Sequence, residues 1–269
     1  MSSSAALPPG GDATRPPRPP APPRLPVPEK DQIALLPPFA GLVLSQIEVP
    51  DTPQRCEAAA EAILAAGVAG FDTESKPTFK VGEVSDGPHT VQFALADRAY
   101  IFQWHHPACH GPLRELLRSA VLVKAGFGLD SDRAQIQAKL GLLPQGVLDL
   151  NALFMQRGYR RDIGVRSAVA LAFGQRFAKS KAVTTTNWAL PKLSASQLLY
   201  AANDAWAALR VWQVLQAHPL PMPLPHAPTS ALPSAPATAP ATAPTSAPPP
   251  GSAPAAPHRR RPDHPPRRD

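Results

Sequence analysis

The stretch Val68-Ala69-Gly70-Phe71-Asp72-Thr73-Glu74-Ser75-Lys76-Pro77 is an apolar run that turns acidic at its end. Read as a strand, it alternates its side chains between faces, so Asp72 and Glu74 point one way while Phe71 and Thr73 point the other. Two carboxylates then share one side of a strand end, and at ~5 Å and an effective dielectric of ~20 their repulsion is roughly 3 kcal/mol. A divalent cation, which prefers oxygen ligands, offsets that cost, and so does protonation of one acid. The plain alternative is an exposed strand end that happens to carry two acids.

The neighbouring segments show what kind of sheet this strand joins. Upstream, Gly41 to Val49 reads as an extended entry, and Asp51-Thr52-Pro53 places a cap and a proline ahead of an alanine-rich helix, Gln54 to Ala66, closed by Gly67. Downstream, His89 to Ala94 and Arg98 to Trp104 are strands joined by three residues, which predicts an antiparallel hairpin. Helix Leu113 to Ser119, strand Val121 to Ala125, helix Asp130 to Leu140, a short apolar run at Val147, helix Arg166 to Phe173 and a long helix, Ser194 to Leu215, complete the pattern. Strands followed by helices, with one early hairpin, predict an α/β fold: a mixed sheet flanked by helices on both faces.

Two more acidic sites lie along this pattern. Lys124-Ala-Gly126-Phe-Gly128-Leu-Asp130-Ser-Asp132 sets acids just past a strand end, at the start of a helix, where capping is the ordinary use of such residues. Leu199-Tyr200-Ala-Ala-Asn-Asp204 places Tyr200 and Asp204 four residues apart on one helix face, and the small Ala201, Ala202, Ala205, Ala207 and Ala208 let that helix approach a sheet closely.

The ordered set Phe71-Asp72-Thr73-Glu74, Lys124 to Asp132 and Tyr200 to Asp204 resembles the tyrosine-containing branch of the four-acid 3'-5' exonuclease family, which includes ribonuclease D and the Werner syndrome helicase exonuclease domain. Thr186-Asn187-Trp188, followed by Leu193-Ser194 and Gln197, is similar to that branch's approach to its last helix. The resemblance implies a ribonuclease H-like fold and a hydrolase that shortens DNA or RNA from a free, single-stranded or frayed 3' end, releasing nucleoside 5'-monophosphates. It implies two divalent cations, Mg2+ or Mn2+, held by Asp72, Glu74, Asp132 and Asp204, with Tyr200 orienting the attacking water. Two cations about 3.5 to 4 Å apart activate a water and stabilise the departing oxygen, which suits an oxygen-only donor set. Asp130 and Asp132 both follow Gly126; the Lys-x-Gly opening of the family motif favours Asp132, leaving Asp130 as a helix cap. Lys76 and Lys124 are candidates to meet phosphates, and Phe79 or Trp188 to stack on a base. A zinc site from His105, His106, Cys109 and His110 is disfavoured, because four such residues within six positions can hardly surround one ion tetrahedrally.

Composition bounds the rest. The 269 residues include 37 prolines, concentrated in residues 1–30 and 219–269. Such segments bury too little apolar surface to offset their ordering entropy, so a disordered leader, a folded 31–218 and a disordered Ala/Pro-rich tail are expected. The net charge of +7 divides as +2 in the leader, +2 in the core and +3 in the tail, which ends in Arg259-Arg260-Arg261 and Arg267-Arg268. Two cysteines without a C-x-x-C spacing predict free thiols and a reducing compartment, and with no apolar span or signal peptide evident the expected setting is cytoplasmic, without a membrane. The competing readings are an exonuclease-like fold that grips nucleic acid without cutting it, and a scaffold whose Pro-rich tails recruit partners. If the tail arginines tether nucleic acid, deleting residues 219–269 weakens binding at low salt and lessens its salt dependence in an anisotropy titration; unchanged affinity removes the tail from binding.

Overall fold

The computed structural model describes residues 24–78, 82–159 and 163–218. Strands β1 (Ile47–Glu48), β2 (Val68–Glu74), β3 (Thr90–Ala94), β4 (Ala99–Gln103), β5 (Val123–Gly126) and β6 (Val147–Asp149) form one sheet in the order β1-β4-β3-β2-β5-β6. The β2-β3-β4 meander is antiparallel, and β1, β5 and β6 pair in parallel at its flanks. This is the expected mixed sheet, and β2 lies inside it with partners on both sides.

Strand alternation sorts the two cores. Phe71, Phe93 and Phe102 face α2 (Pro53–Ala66), α3 (His110–Arg118) and α4 (Asp130–Leu140), where Ile63, Leu113, Leu116, Leu117 and Ile136 are buried. Ala94, Ala99 and Ile101 face the opposite way, onto α8 (Ala195–Ala217). The ribonuclease H-like fold read from the sequence is therefore the fold observed. Among the described residues no helix is long and apolar enough to cross a membrane.

Helix α8 reaches the sheet almost backbone to backbone. A Cβ added at Gly70 of β2 would sit 1.8 Å from the Ala205 carbonyl oxygen, so only glycine fits there. The helix start is held by a capping box in which Ser194 and Gln197 exchange bonds, and Gln197 Nε2 also donates to Thr186 Oγ1 and the Asn187 carbonyl. Farther along, Asn203 Oδ1 accepts from Leu42 N at 2.7 Å and its amide donates to the Leu42 and Leu199 carbonyls.

Several expectations are corrected. Gly41 to Val49 contributes only the two residues of β1, after a 3-10 turn at Leu44–Gln46. Residues 24–30, assigned to the leader, lie against the domain: Leu25 N donates to the Gly158 carbonyl, and Leu25 and Val27 pack on the cluster around Phe154 and Phe177. They lead into an unforeseen helix, α1 (Lys30–Ala34), whose Ile33 is buried. Cys56 and Cys109 are not free thiols but a disulfide, with Cα atoms 5.3 Å apart, because α2 packs beside the turn that precedes α3. Phe79 and residues 219–269, with the tail arginines, lie outside the described residues.

Replacing Gly70 by alanine pushes α8 away from β2. We expect a loss of about 1–3 kcal/mol, read as a lower thermal midpoint, whereas an unchanged midpoint would mean that the helix seats without this contact.

Candidate active site

Three elements converge at the C-terminal end of β2. Asp72 and Glu74 project from the strand face that meets α8, and Asp204 comes down from that helix; one carboxylate oxygen of each lies within 4.8 Å of the others. Asp132 enters from the first turn of α4, on the other side of the strand. It is 8% exposed and stands outside that triplet, with Oδ1 accepting from Thr73 Oγ1 at 2.5 Å and Oδ2 from Ser131 Oγ at 3.3 Å. Asp130, first residue of the same helix, is exposed and makes no capping bond.

Tyr200 lies one turn before Asp204 on α8 and is buried. The Thr184 hydroxyl, at the end of a one-turn helix α7 (Lys181–Thr184), lies 3.1 Å from both the Tyr200 oxygen and the Ser180 carbonyl. Trp188 packs against the Tyr200 ring at 5.9 Å and is fully buried, so it positions the tyrosine and does not stack on a base.

The charges at this site are out of balance. Burial, followed by the charges of Asp204, Asp132 and Glu74, raises the Asp72 carboxyl well above the usual range. Burial and then Asp204 push Glu74 up to about 8, and burial raises Asp132 and Asp204 too. Lys179 opposes them at closest range, its Nζ 2.6 Å from Asp204 Oδ2 and 5.2 Å from the centre of the Tyr200 ring, and the charge of Arg166 reaches Asp204 as well. Burial works against its charge, but Asp204 and Asp72 outweigh that and hold the ammonium above its ordinary value. Burial and Asp204 push Tyr200 up to about 12, so it is neutral at pH 7.

Lys179 carried no legible signal in the sequence, because its stretch, Phe177-Ala-Lys179-Ser-Lys181, has no periodic pattern. Lys124 went the other way. It is fully buried, and its Nζ donates to the carbonyls of Leu116, Ser119 and Leu122, each at 3.0 Å. Burial lowers it to about 8, so at neutral pH it stays charged and ties the end of α3 to β5, away from any phosphate. Lys76, half-buried, gives its backbone N–H to His89 Nδ1 at 3.1 Å. Of the residues weighed for zinc, Cys109 is bonded to Cys56, and a ring nitrogen of His110 meets the Trp104 carbonyl at 2.7 Å.

A family described as 3'-5' exonuclease matches residues 47–218, a segment that contains every acid just described. The chain belongs to this 3'-5' exonuclease family. A 3'-5' exonuclease of Arabidopsis thaliana is 31% identical over 153 residues, 56% of this chain and 53% of that protein. The bifunctional 3'-5' exonuclease/ATP-dependent helicase WRN of Mus musculus is 24% identical over 180 residues, 66% of this chain and 13% of that one. The chain thus spans about half the length of the first relative and a small part of the second. Among solved structures, Trypanosoma brucei RNase D in complex with RNA U12 superposes with a TM-score of 0.56 at 22% identity, covering 70% of this chain and 65% of that one. That likeness shows a shared fold.

The exonuclease family is metal-dependent, and the donor set here fits a metal. Its donors are carboxylate oxygens alone, as hard divalent cations prefer, and Asp204 Oδ1 is buried without a hydrogen-bond partner. A carboxyl whose folded pKa is raised stabilises the fold below its unfolded pKa and loses that contribution as pH climbs through the folded value. With chelator present, the thermal midpoint is therefore expected to fall by several degrees as pH rises from about 4.5 to about 8, the range spanned by Glu74. Glu74→Gln flattens this dependence; an unaltered slope would mean that Glu74 is charged throughout.

Proposed function

We propose that the chain is a metal-dependent 3'-5' exonuclease acting on the free, single-stranded or frayed 3' end of DNA or RNA. The observation that carries this reading is the meeting of Asp72, Glu74 and Asp204 within 4.8 Å, beside buried Asp132 and one helical turn from Tyr200. Asp72, Glu74, Asp132 and Asp204 would hold two divalent cations, Mg2+ or Mn2+. When bound, such ions supply a water activated at neutral pH and charge relief at the departing 3' oxygen.

The remaining steps belong to the chain's own groups. Asp204 and Asp72 present oxygens from opposing backbones that Gly70 allows to come close, so the donors are set before any ligand arrives. Tyr200, neutral and supported by Thr184, directs its hydroxyl at the attacking water as a hydrogen-bond partner rather than a base. Asp132, oriented by Thr73 and Ser131, supplies the fourth carboxylate across the strand end. A nucleic-acid substrate accords with the RNA held by the RNase D that shares this fold.

Digestion of 5'-labelled single-stranded DNA and RNA of matched sequence, with Mg2+, with Mn2+ and with chelator, tests this reading. A metal-dependent ladder shortening from the 3' end is expected, absent in Asp72→Asn and slowed roughly 100-fold in Tyr200→Phe. Retained binding of either strand without cleavage would instead favour the non-cutting binding module.

A further inference from the structure

A cavity of about 950 Å3 opens beside the acids, between the 27–34 segment, the start of α6 (Gly164–Phe173) and residues 176–184. Its volume is at the upper end of the range for pockets that enclose a drug-sized ligand, about 300 to 1,000 Å3. Lys30, Arg166, Arg176, Lys179 and Lys181 line it, and Glu29 is the one acid among the described lining residues. Between these charges the wall is apolar, with Val27, Ile33, Ile163 and Phe177.

The cavity is joined to the catalytic cluster through two of its own lining residues. Lys179 is 2.6 Å from Asp204, and Thr184 bonds Tyr200. Arg166 donates to the Lys179 carbonyl and its charge is felt at Asp204, so this arginine belongs to both places. The outer wall is held on either side of its span: before it Leu25 N donates to the Gly158 carbonyl, and after it Arg176 N donates to the Pro37 carbonyl and Phe39 N to the Arg176 carbonyl. That wall, residues 27–34, lies outside the 47–218 segment shared with the exonuclease family.

We infer that this groove carries the strand 5' to the scissile phosphate, with Lys30, Arg176 and Lys181 meeting successive phosphates and the apolar wall receiving bases. The inference rests on the exonuclease reading: when a 3' terminus sits among the acids, only the 5' side of the strand continues outward. A cavity lined by several cations next to the acids suits a polyanion. Residues 1–23 and 219–269 each carry net positive charge and do not suit a cationic groove.

The test is anisotropy of labelled single strands of two, six and twelve nucleotides with Asp72→Asn protein in Mg2+, which keeps the strand intact. Affinity is expected to rise with length. Lys30→Gln, Arg176→Gln and Lys181→Gln together, all exposed, should erase that gain. Counterion release at about 0.7 per phosphate makes the loss roughly 100-fold at 0.1 M salt, with a salt slope smaller by about 2. Arg118→Gln, an exposed residue at the end of α3, should change affinity less than twofold, which separates the groove from net charge. A triple variant that binds all lengths like its parent, or that loses binding to polyglutamate while keeping the strands, overturns the groove assignment and leaves the exonuclease reading standing. Absence of strand binding by the parent overturns both.

Discussion

The structure depends on the contact between Gly70 and Ala205. There the backbone of α8 rests on the backbone of β2 with no side chain between them, and Gly70 together with the alanines of α8 is what permits it. Asp204 sits one residue from that contact on the helix and Asp72 two residues from it on the strand. The separation of these carboxylates is thus set by a point where helix and strand backbones meet directly. A site that must hold like charges together is best supported where the scaffold yields least.

Holding those charges is costly, and the chain reduces the cost in identifiable ways. Proton uptake is one, visible in the raised carboxyls of Asp72, Glu74, Asp132 and Asp204. Lys179 is another, standing against Asp204 where a cation is wanted. Both are reversible, and both give way to a stronger positive charge. The buried oxygen of Asp204 that accepts no hydrogen bond fits such an exchange, because an unsatisfied buried acceptor persists only where something else completes it.

Legibility in the sequence followed the range of the interaction. The hairpin and the strand-then-helix order were readable because each is written within a few residues. So was the pairing of Asp72 with Glu74, which needs only the two-residue repeat of a strand. Lys124 was misread because its three carbonyl partners belong to a helix end and a turn whose approach to β5 is a matter of packing. The cysteine pair was missed for a similar reason: Cys56 and Cys109 are 53 residues apart, and two cysteines alone give no spacing to interpret.

Local covalent geometry, then, determined which carboxylates share a face, which residues stack on the last helix, and in what order the motifs run. Tertiary packing decided how those faces meet. It joined Thr73 to Asp132 across 59 residues, put Lys179 on Asp204, buried Lys124 and Trp188, and drew residues 27–34 along the groove beside the site. The reason is physical. Strand and helix periods follow from the backbone of each segment, whereas burial and cross-element distance arise only when segments far apart in the chain exclude water together.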